Sequence, residues 1–209
     1  MPQKLIIVCN DAEKKYAIYL QQLVSAEDDE EGKQVGTRDG AVTAAIYSEK
    51  QYEANLSQLS SSNYILFVGN TDVAKAARAN MKERYCECGM HYGWLGRQAF
   101  MYADSNEFER SDTERFKAVC EQYGKSFADE RRKPADDRLL IQQAFEEGEG
   151  IVKFAAGFAK LALGGFGVAA EIAKRLVFEI LRSEDVHDQQ YTLLTFILYM
   201  DGLSEFLGA

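Results

Sequence analysis

Short, unbroken apolar runs alternate with amphipathic stretches over the first 125 residues. The clearest run is 64–70, YILFVGN, and the run 5–10, LIIVCN, has the same form. Such runs of β-branched and aromatic residues are typical of parallel strands that helices cover on both faces. Weaker runs at 41–47 and 98–103 predict two further strands.

The stretches that follow these runs predict helices. The first stretch places four apolar residues on one helical face: Tyr16, Leu20, Leu23 and Val24. Ser48, followed three residues later by Gln51, has the pattern of a capping box and predicts a short helix through Leu59. Alanines and larger apolar side chains predict a helix over about 72–87. Residues 88–97 break its periodicity, and we expect a loop there whose aromatic residues anchor it over the sheet edge or cover a ligand.

These elements predict an α/β fold with an open, mostly parallel sheet of about four strands, in a flavodoxin-like or TIR-like arrangement. We assign residues 1–125 to this α/β sandwich domain. The polar segment 124–137, with one of only two prolines, marks the boundary. Residues 136–209 are predicted to form a C-terminal helical segment, in which 191–207 is expected to be a buried helix. This segment would pack on the domain or on another subunit.

Charge and composition narrow the class of partner. The net charge of -9 argues against a nucleic-acid partner, because binding a phosphate backbone requires clustered lysine and arginine. Four irregularly placed cysteines and a short N-terminal apolar run favour the cytoplasm. The longest uncharged run in 151–181 spans 161–170, too short for a bilayer span of about 20 residues, so a membrane-spanning role is not expected.

Polar residues follow several of the predicted strands. Because the carboxyl ends of parallel strands meet at one edge of a sheet, these side chains form the candidate ligand site: Asn10, Asp11, Asn70, Thr71, Asp72 and Asp104. Every one of them is also a good helix cap, so capping alone is the competing interpretation. The three carboxylates would repel a free phosphate. Ribose hydroxyls, amines or a magnesium-bridged phosphate fit the pattern better.

Two glutamates suggest a comparison with TIR domains. Glu83 and Glu87 fall in the helix predicted after the central strand. The order of elements resembles that of TIR-like domains, and the resemblance implies that a glutamate on this helix could cleave a nucleotide. No glycine-rich phosphate or dinucleotide motif follows a strand, so no cofactor is expected.

A group of soft metal ligands lies between two predicted strands. Cys86, Cys88 and His91 could hold zinc, with Cys120 as a fourth ligand. The spacing is not the paired pattern of structural zinc sites, and a helix through these residues could not bring them together. The sequence therefore predicts that no metal is bound.

The resulting hypothesis is a ligand-sensing or protein-interaction module. It would bind a small polar ligand or nucleotide and self-associate as a homo-oligomer through small residues over 151–173. The first alternative is a nucleotide-processing hydrolase at the strand ends, so whether the chain is an enzyme stays open. The second is a membrane-surface effector that uses an amphipathic helix over 151–181.

Overall fold

The described residues form a mixed sheet of six strands with helices on both faces. The computed structural model describes residues 4–25, 43–59, 63–116, 118–119, 122–123 and 185–208. The strands are β1 (Lys4–Cys9), β2 (Thr43–Ser48), β3 (Tyr64–Val68), β4 (Lys82–Glu87), β5 (Met90–Leu95) and β6 (Gln98–Ala103). The helices include α1 (Lys14–Ser25), α2 (Glu49–Asn55), α3 (Asp72–Arg78), α4 (Val186–Ile197) and α5 (Leu203–Phe206).

The strand order is β2-β1-β3-β6-β5-β4. The first four strands in this order are mutually parallel, and they are the four strands that the sequence predicted. The α/β class, the mostly parallel sheet and the C-terminal helix are therefore confirmed. The predicted number of strands was too small, because β5 and β4 extend the sheet in the antiparallel sense.

The two missed strands occupy residues assigned to a helix and a loop. The predicted helix over 72–87 ends at Arg78, and Lys82–Glu87 is a strand instead. All six side chains of β4 are exposed or half-buried, so the strand lacks the apolar run that identifies its neighbours. The predicted loop contains β5, whose Trp94 is buried. A Cβ atom at Gly93 would lie 2.2 Å from the carbonyl oxygen of Lys82, so glycine permits the two strands to approach.

Two short turns connect β4, β5 and β6. The first turn, Cys88-Gly89, has positive φ at both central residues, 52° and 69°, as type I′ hairpin turns require. The second turn has positive φ, 59°, at Gly96 only. A Cβ atom at Gly89 would lie 2.4 Å from the carbonyl oxygen of Asp104, whereas one at Gly96 would meet nothing within 4 Å.

The central strands of the sheet, β1 and β3, are buried on both sides. Alternate residues of β1 face opposite ways: Leu5 and Ile7 join the core beneath α1 and α4, while Ile6 and Val8 join the core beneath α2 and α3. The capping box at the start of α2 is present as predicted, with Gln51 donating its backbone N–H to Ser48. Helices on both faces leave polar groups room mainly at the strand ends.

The buried C-terminal helix predicted over 191–207 is confirmed. It begins as α4, continues through the π-helical residues Leu198–Gly202 and ends as α5. The completely buried Gln190 donates from Nε2 to the carbonyl oxygens of Cys88 and Asp104, at 2.7 and 3.3 Å. These bonds tie α4 to the first hairpin turn and to the end of β6.

Several predictions fall outside the described residues. They are the boundary segment 124–137, the small-residue repeat over 151–173 and the amphipathic helix over 151–181. The assignment of 1–125 and 136–209 to separate units stays a prediction. In the described part of the chain, no helix combines the length and the apolar character needed to span a bilayer.

The two hairpin glycines provide a matched test of this architecture. Both Gly89→Ala and Gly96→Ala place a side chain at positive φ, which costs about 1 kcal/mol. Only Gly89→Ala also forces a methyl group against Asp104, and overpacking of this kind adds about 1–3 kcal/mol. We therefore expect urea denaturation to show a clearly larger loss of unfolding free energy for Gly89→Ala. Equal losses would contradict the close approach of the hairpin turn to β6.

Candidate functional site

The sheet has a switch point between β1 and β3. The chain leaves β1 into α1 on one face of the sheet and leaves β3 into α3 on the other. Cys9 pairs with Val68, so Asn10 and Gly69 lie level at the carboxyl ends of the two strands. Open α/β sheets bind ligands in the crevice that such a reversal creates.

Three of the six predicted site residues act as caps. Asn10 accepts a hydrogen bond from the backbone N–H of Glu13 at 3.0 Å, before α1. Thr71 accepts from the backbone N–H of Ala74 at 3.2 Å at the start of α3. Asp104 accepts from the backbone N–H of Asn106 at 2.9 Å. Each satisfies a free N–H group of a first helical turn.

The other three predicted residues point in different directions. Asn70 accepts a hydrogen bond from the guanidinium of Arg78. The side chain of Asp72 is fully exposed and lies 3.8 Å from Lys75, and Asp11 is also exposed. The fold thus brings Asn10 and Asn70 to neighbouring strand ends. Ligand binding by the six residues remains a prediction.

Glu13, which the sequence did not mark as a site residue, lies at this switch point. Glu13 is only 7% exposed, and a Cβ atom at Gly69 would lie 3.2 Å from its Oε2. Gly69 has a φ of +116°, so glycine allows both the backbone turn and the approach of the carboxylate. In sequence, Glu13 stands in the charged stretch DAEKK, which has the pattern of a solvated surface. No local signal distinguishes it.

The carboxyl group of Glu13 is incompletely satisfied. Among the described residues, Oε2 is buried and accepts no hydrogen bond. Nε2 of His187 lies 3.9 Å from Oε1 of Glu13. Burial raises the pKa of the Glu13 carboxyl, against the smaller opposing effects of His187 and Asn10. The crevice therefore holds a carboxyl group that favours its protonated form more than a solvated glutamate does.

The first turn of α4 is held beside this crevice by contacts with α1. Asp188 accepts hydrogen bonds from the ammonium group of Lys15, at 2.6 Å, and from the hydroxyl of Tyr16. The rings of Tyr16 and Tyr191 stack with centroids 4.8 Å apart. These contacts fix the position of His187 relative to Glu13.

A second polar cluster lies on the α3 side of the sheet, around His91. This ring is 6% exposed and stacks on Tyr102 with centroids 4.5 Å apart. Nδ1 of His91 lies 2.6 Å from a carboxylate oxygen of Glu83, and Nε2 lies 2.6 Å from one of Glu107. Cys86 pairs with His91 across the two strands. Burial and the charges of Glu83 and Glu107 raise the pKa of the Cys86 thiol.

The fold does not bring together Cys86, Cys88 and His91, the zinc ligands considered in the sequence. Cys88 lies in the hairpin turn and packs with Met90 and Tyr92 in the core beneath α1 and α4. It is therefore on the other face of the sheet from His91, and burial raises its pKa to about 11. Cys120 lies outside the described residues.

The two glutamates of the TIR comparison do not lie on a helix. Glu83 and Glu87 are both in β4, and Glu87 forms an ion pair with Arg115 at 2.6 Å. The helix after the central strand, α3, has the sequence DVAKAAR and contains no glutamate. The expectation of a glutamate on that helix is wrong.

Comparison with known proteins finds no matching family model, no matching curated protein and no matching solved structure. The candidate sites therefore rest on the geometry of this chain.

The pKa of Glu13 predicts how stability depends on pH. Because the folded-state pKa lies above the ordinary value of 4.5, the folded protein binds more protons than the unfolded chain between these two values. Glu13 therefore contributes a loss of stability as the pH rises through its folded-state pKa. Glutamine cannot ionise, so we expect Glu13→Gln to gain stability relative to wild type as the pH increases.

Thermal unfolding of both proteins from about pH 4 to about pH 8 measures this effect. The matched control is Asp11→Asn, which removes one negative charge from an exposed position of the same turn. A difference between Glu13→Gln and wild type that stays constant over this range would contradict the raised pKa.

Proposed function

We propose that this chain is a ligand-sensing module that binds a small polar ligand between the carboxyl ends of β1 and β3. The observation that carries the proposal is the Glu13 carboxyl group, buried against Gly69 at these strand ends with Oε2 unsatisfied among the described residues. Burying a carboxyl group without its hydrogen bonds reduces stability. A perturbed titratable group in a cleft is a frequent feature of functional sites.

The charges around the crevice define the ligand that suits it. Glu13 offers a hydrogen-bond acceptor, and Asp11 and Asp72 add negative charge near the same strand ends. A ligand that donates hydrogen bonds, such as an amine or a ribose, complements these groups. A nucleotide would need a magnesium ion to screen its phosphates. A free phosphate would meet repulsion.

The order of the parallel strands supports the flavodoxin-like part of the proposal. The order β2-β1-β3 is the one in which flavodoxin-like sheets bind their ligand beside the first and third strands. The hydrolase alternative gains no support from α3, which has no glutamate. We keep it as the alternative that a turnover measurement would reveal.

Self-association is the second part of the proposal. It rests on the sequence repeat of small and apolar residues over 151–173, outside the described residues. A closely packed helical interface requires small side chains where two backbones approach. The complete proposal is therefore a cytoplasmic homo-oligomer that responds to a small ligand.

Isothermal titration calorimetry with three probes tests ligand binding: adenosine, ATP with magnesium, and spermidine. We expect heat from at least one probe with wild type, and binding at least about tenfold weaker with Glu13→Gln, a loss of about 1.4 kcal/mol. Glu53→Gln, on the exposed side of α2, is the matched control and should bind as wild type does. No heat from wild type with any probe, or equal binding by Glu13→Gln, would refute the proposed site.

Light scattering tests the proposed assembly independently. Gly165→Leu or Ala159→Leu places a bulky side chain in the small-residue repeat and should reduce the molar mass in solution. Glu53→Gln again serves as the control. A wild-type protein that is monomeric at micromolar concentration would refute self-association.

A further inference from the structure

His91 has more acceptors than a neutral imidazole can serve. A neutral ring carries one N–H group, and its other nitrogen is an acceptor. Both nitrogens of His91 lie 2.6 Å from carboxylate oxygens, one from Glu83 and one from Glu107. One of these two contacts therefore requires a cation or an additional proton between the atoms.

A β-bulge brings a third metal-binding side chain to the same place. Residues three apart in a regular strand point to opposite faces, so Glu83 and Cys86 would normally be separated. The register between β4 and β5 shifts between Glu83 and Tyr85. This shift places one ligand atom each from Glu83, Cys86 and His91 within 4.8 Å of one another. Bulges often direct side chains towards functional sites.

We propose that Glu83, Cys86 and His91 bind a divalent transition-metal ion of the zinc type. The ligands would be a carboxylate oxygen, the Cys86 sulfur and Nδ1 of His91. A thiolate together with an imidazole selects zinc or a similar metal over magnesium or calcium. The site differs from the one weighed in the sequence, because Glu83 takes the place of Cys88, and it departs from the prediction that no metal is bound.

Glu107 has the position of an outer-shell partner. With a metal on Nδ1, the remaining proton of His91 lies on Nε2 and is donated to Glu107. A metal-bound histidine almost always donates its other N–H to a carboxylate or carbonyl in this way, which fixes the ring. Stacking on Tyr102 holds the same ring from its face. Both contacts of His91 are then satisfied without an additional proton.

The ligand atoms would have to rearrange slightly to surround an ion. Ligands at about 2.0–2.3 Å from a tetrahedral metal lie roughly 3.5 Å from one another. Nδ1 of His91 and the Glu83 oxygen, 2.6 Å apart, would therefore have to separate, while the Cys86 sulfur, within 4.8 Å of both, would have to move closer. Glu83 and Cys86 are exposed and free to change rotamer, whereas His91 is buried and fixed. Three protein ligands leave a fourth position open to water or to another molecule.

The competing explanation is a doubly protonated His91 held between two carboxylates without any metal. Cobalt titration of the full chain under reducing conditions separates the two explanations, because a thiolate bound to Co²⁺ produces an intense near-ultraviolet charge-transfer band. We expect the band with wild type at one ion per chain, and its displacement by zinc. Cys86→Ser should abolish the band.

The chain provides matched controls for the cysteine and histidine ligands. Cys88→Ser and His187→Gln change the same residue types away from the cluster and should keep the band. Glu107→Gln keeps all three ligands and should weaken cobalt affinity by about tenfold or more. Circular dichroism verifies that each variant is folded, and the Glu107→Gln result does not depend on altering a buried ligand.

Three results would overturn the proposal. The first is a wild-type protein that gives no charge-transfer band and no heat with zinc. The second is a folded Cys86→Ser variant that keeps the band. The third is loss of the band in Cys88→Ser or Cys120→Ser, which would place the metal at a different set of thiols.

Discussion

The burial of β1 and β3 on both faces is the constraint on which the rest of the structure depends. Leu5, Ile6, Ile7 and Leu66 have no exposed surface, and removing apolar side chains of this size from water stabilises the fold by about 1.5–3 kcal/mol each. Such strands require helices on both sides, which α1 and α4 provide on one face and α2 and α3 on the other. Polar side chains are then concentrated at the carboxyl ends of the parallel strands and on the antiparallel strands β4 and β5. Both candidate sites lie in these places.

The antiparallel strands are held by close approaches of backbone. Gly93 lets β5 lie against β4, and Gly89 lets the first hairpin turn lie against the end of β6. Gln190 then joins this corner to α4 with hydrogen bonds to two carbonyl groups. The geometry around His91 depends on this arrangement, because Glu83 and Cys86 come from β4, His91 comes from β5 and Glu107 comes from the turn after β6.

The two candidate sites differ in how well their buried polar groups are matched by hydrogen-bond partners. Glu13 is buried and has too few hydrogen-bond partners, so it suits a ligand that donates. His91 is buried between two carboxylates and has too many acceptors, so it suits a cation. In both cases a buried polar group is left with a mismatch that a bound species would correct. The mismatch can be recognised only when the distances between residues far apart in sequence are known.

The sequence by itself determined the parts of this protein that local burial dictates. Strands buried on both faces, such as YILFV at Tyr64–Val68, contain unbroken apolar runs, and the buried helix after Tyr191 is apolar almost throughout. The cap at Ser48 was also predictable, because its partner is only three residues away. Only the tertiary structure determined that Lys82–Glu87 is a strand, because it lies at the edge of the sheet and its exposed side chains have no apolar pattern. It alone placed Glu13 against Gly69 and separated Cys88 from Cys86, because neither result follows from interactions between neighbours in the chain.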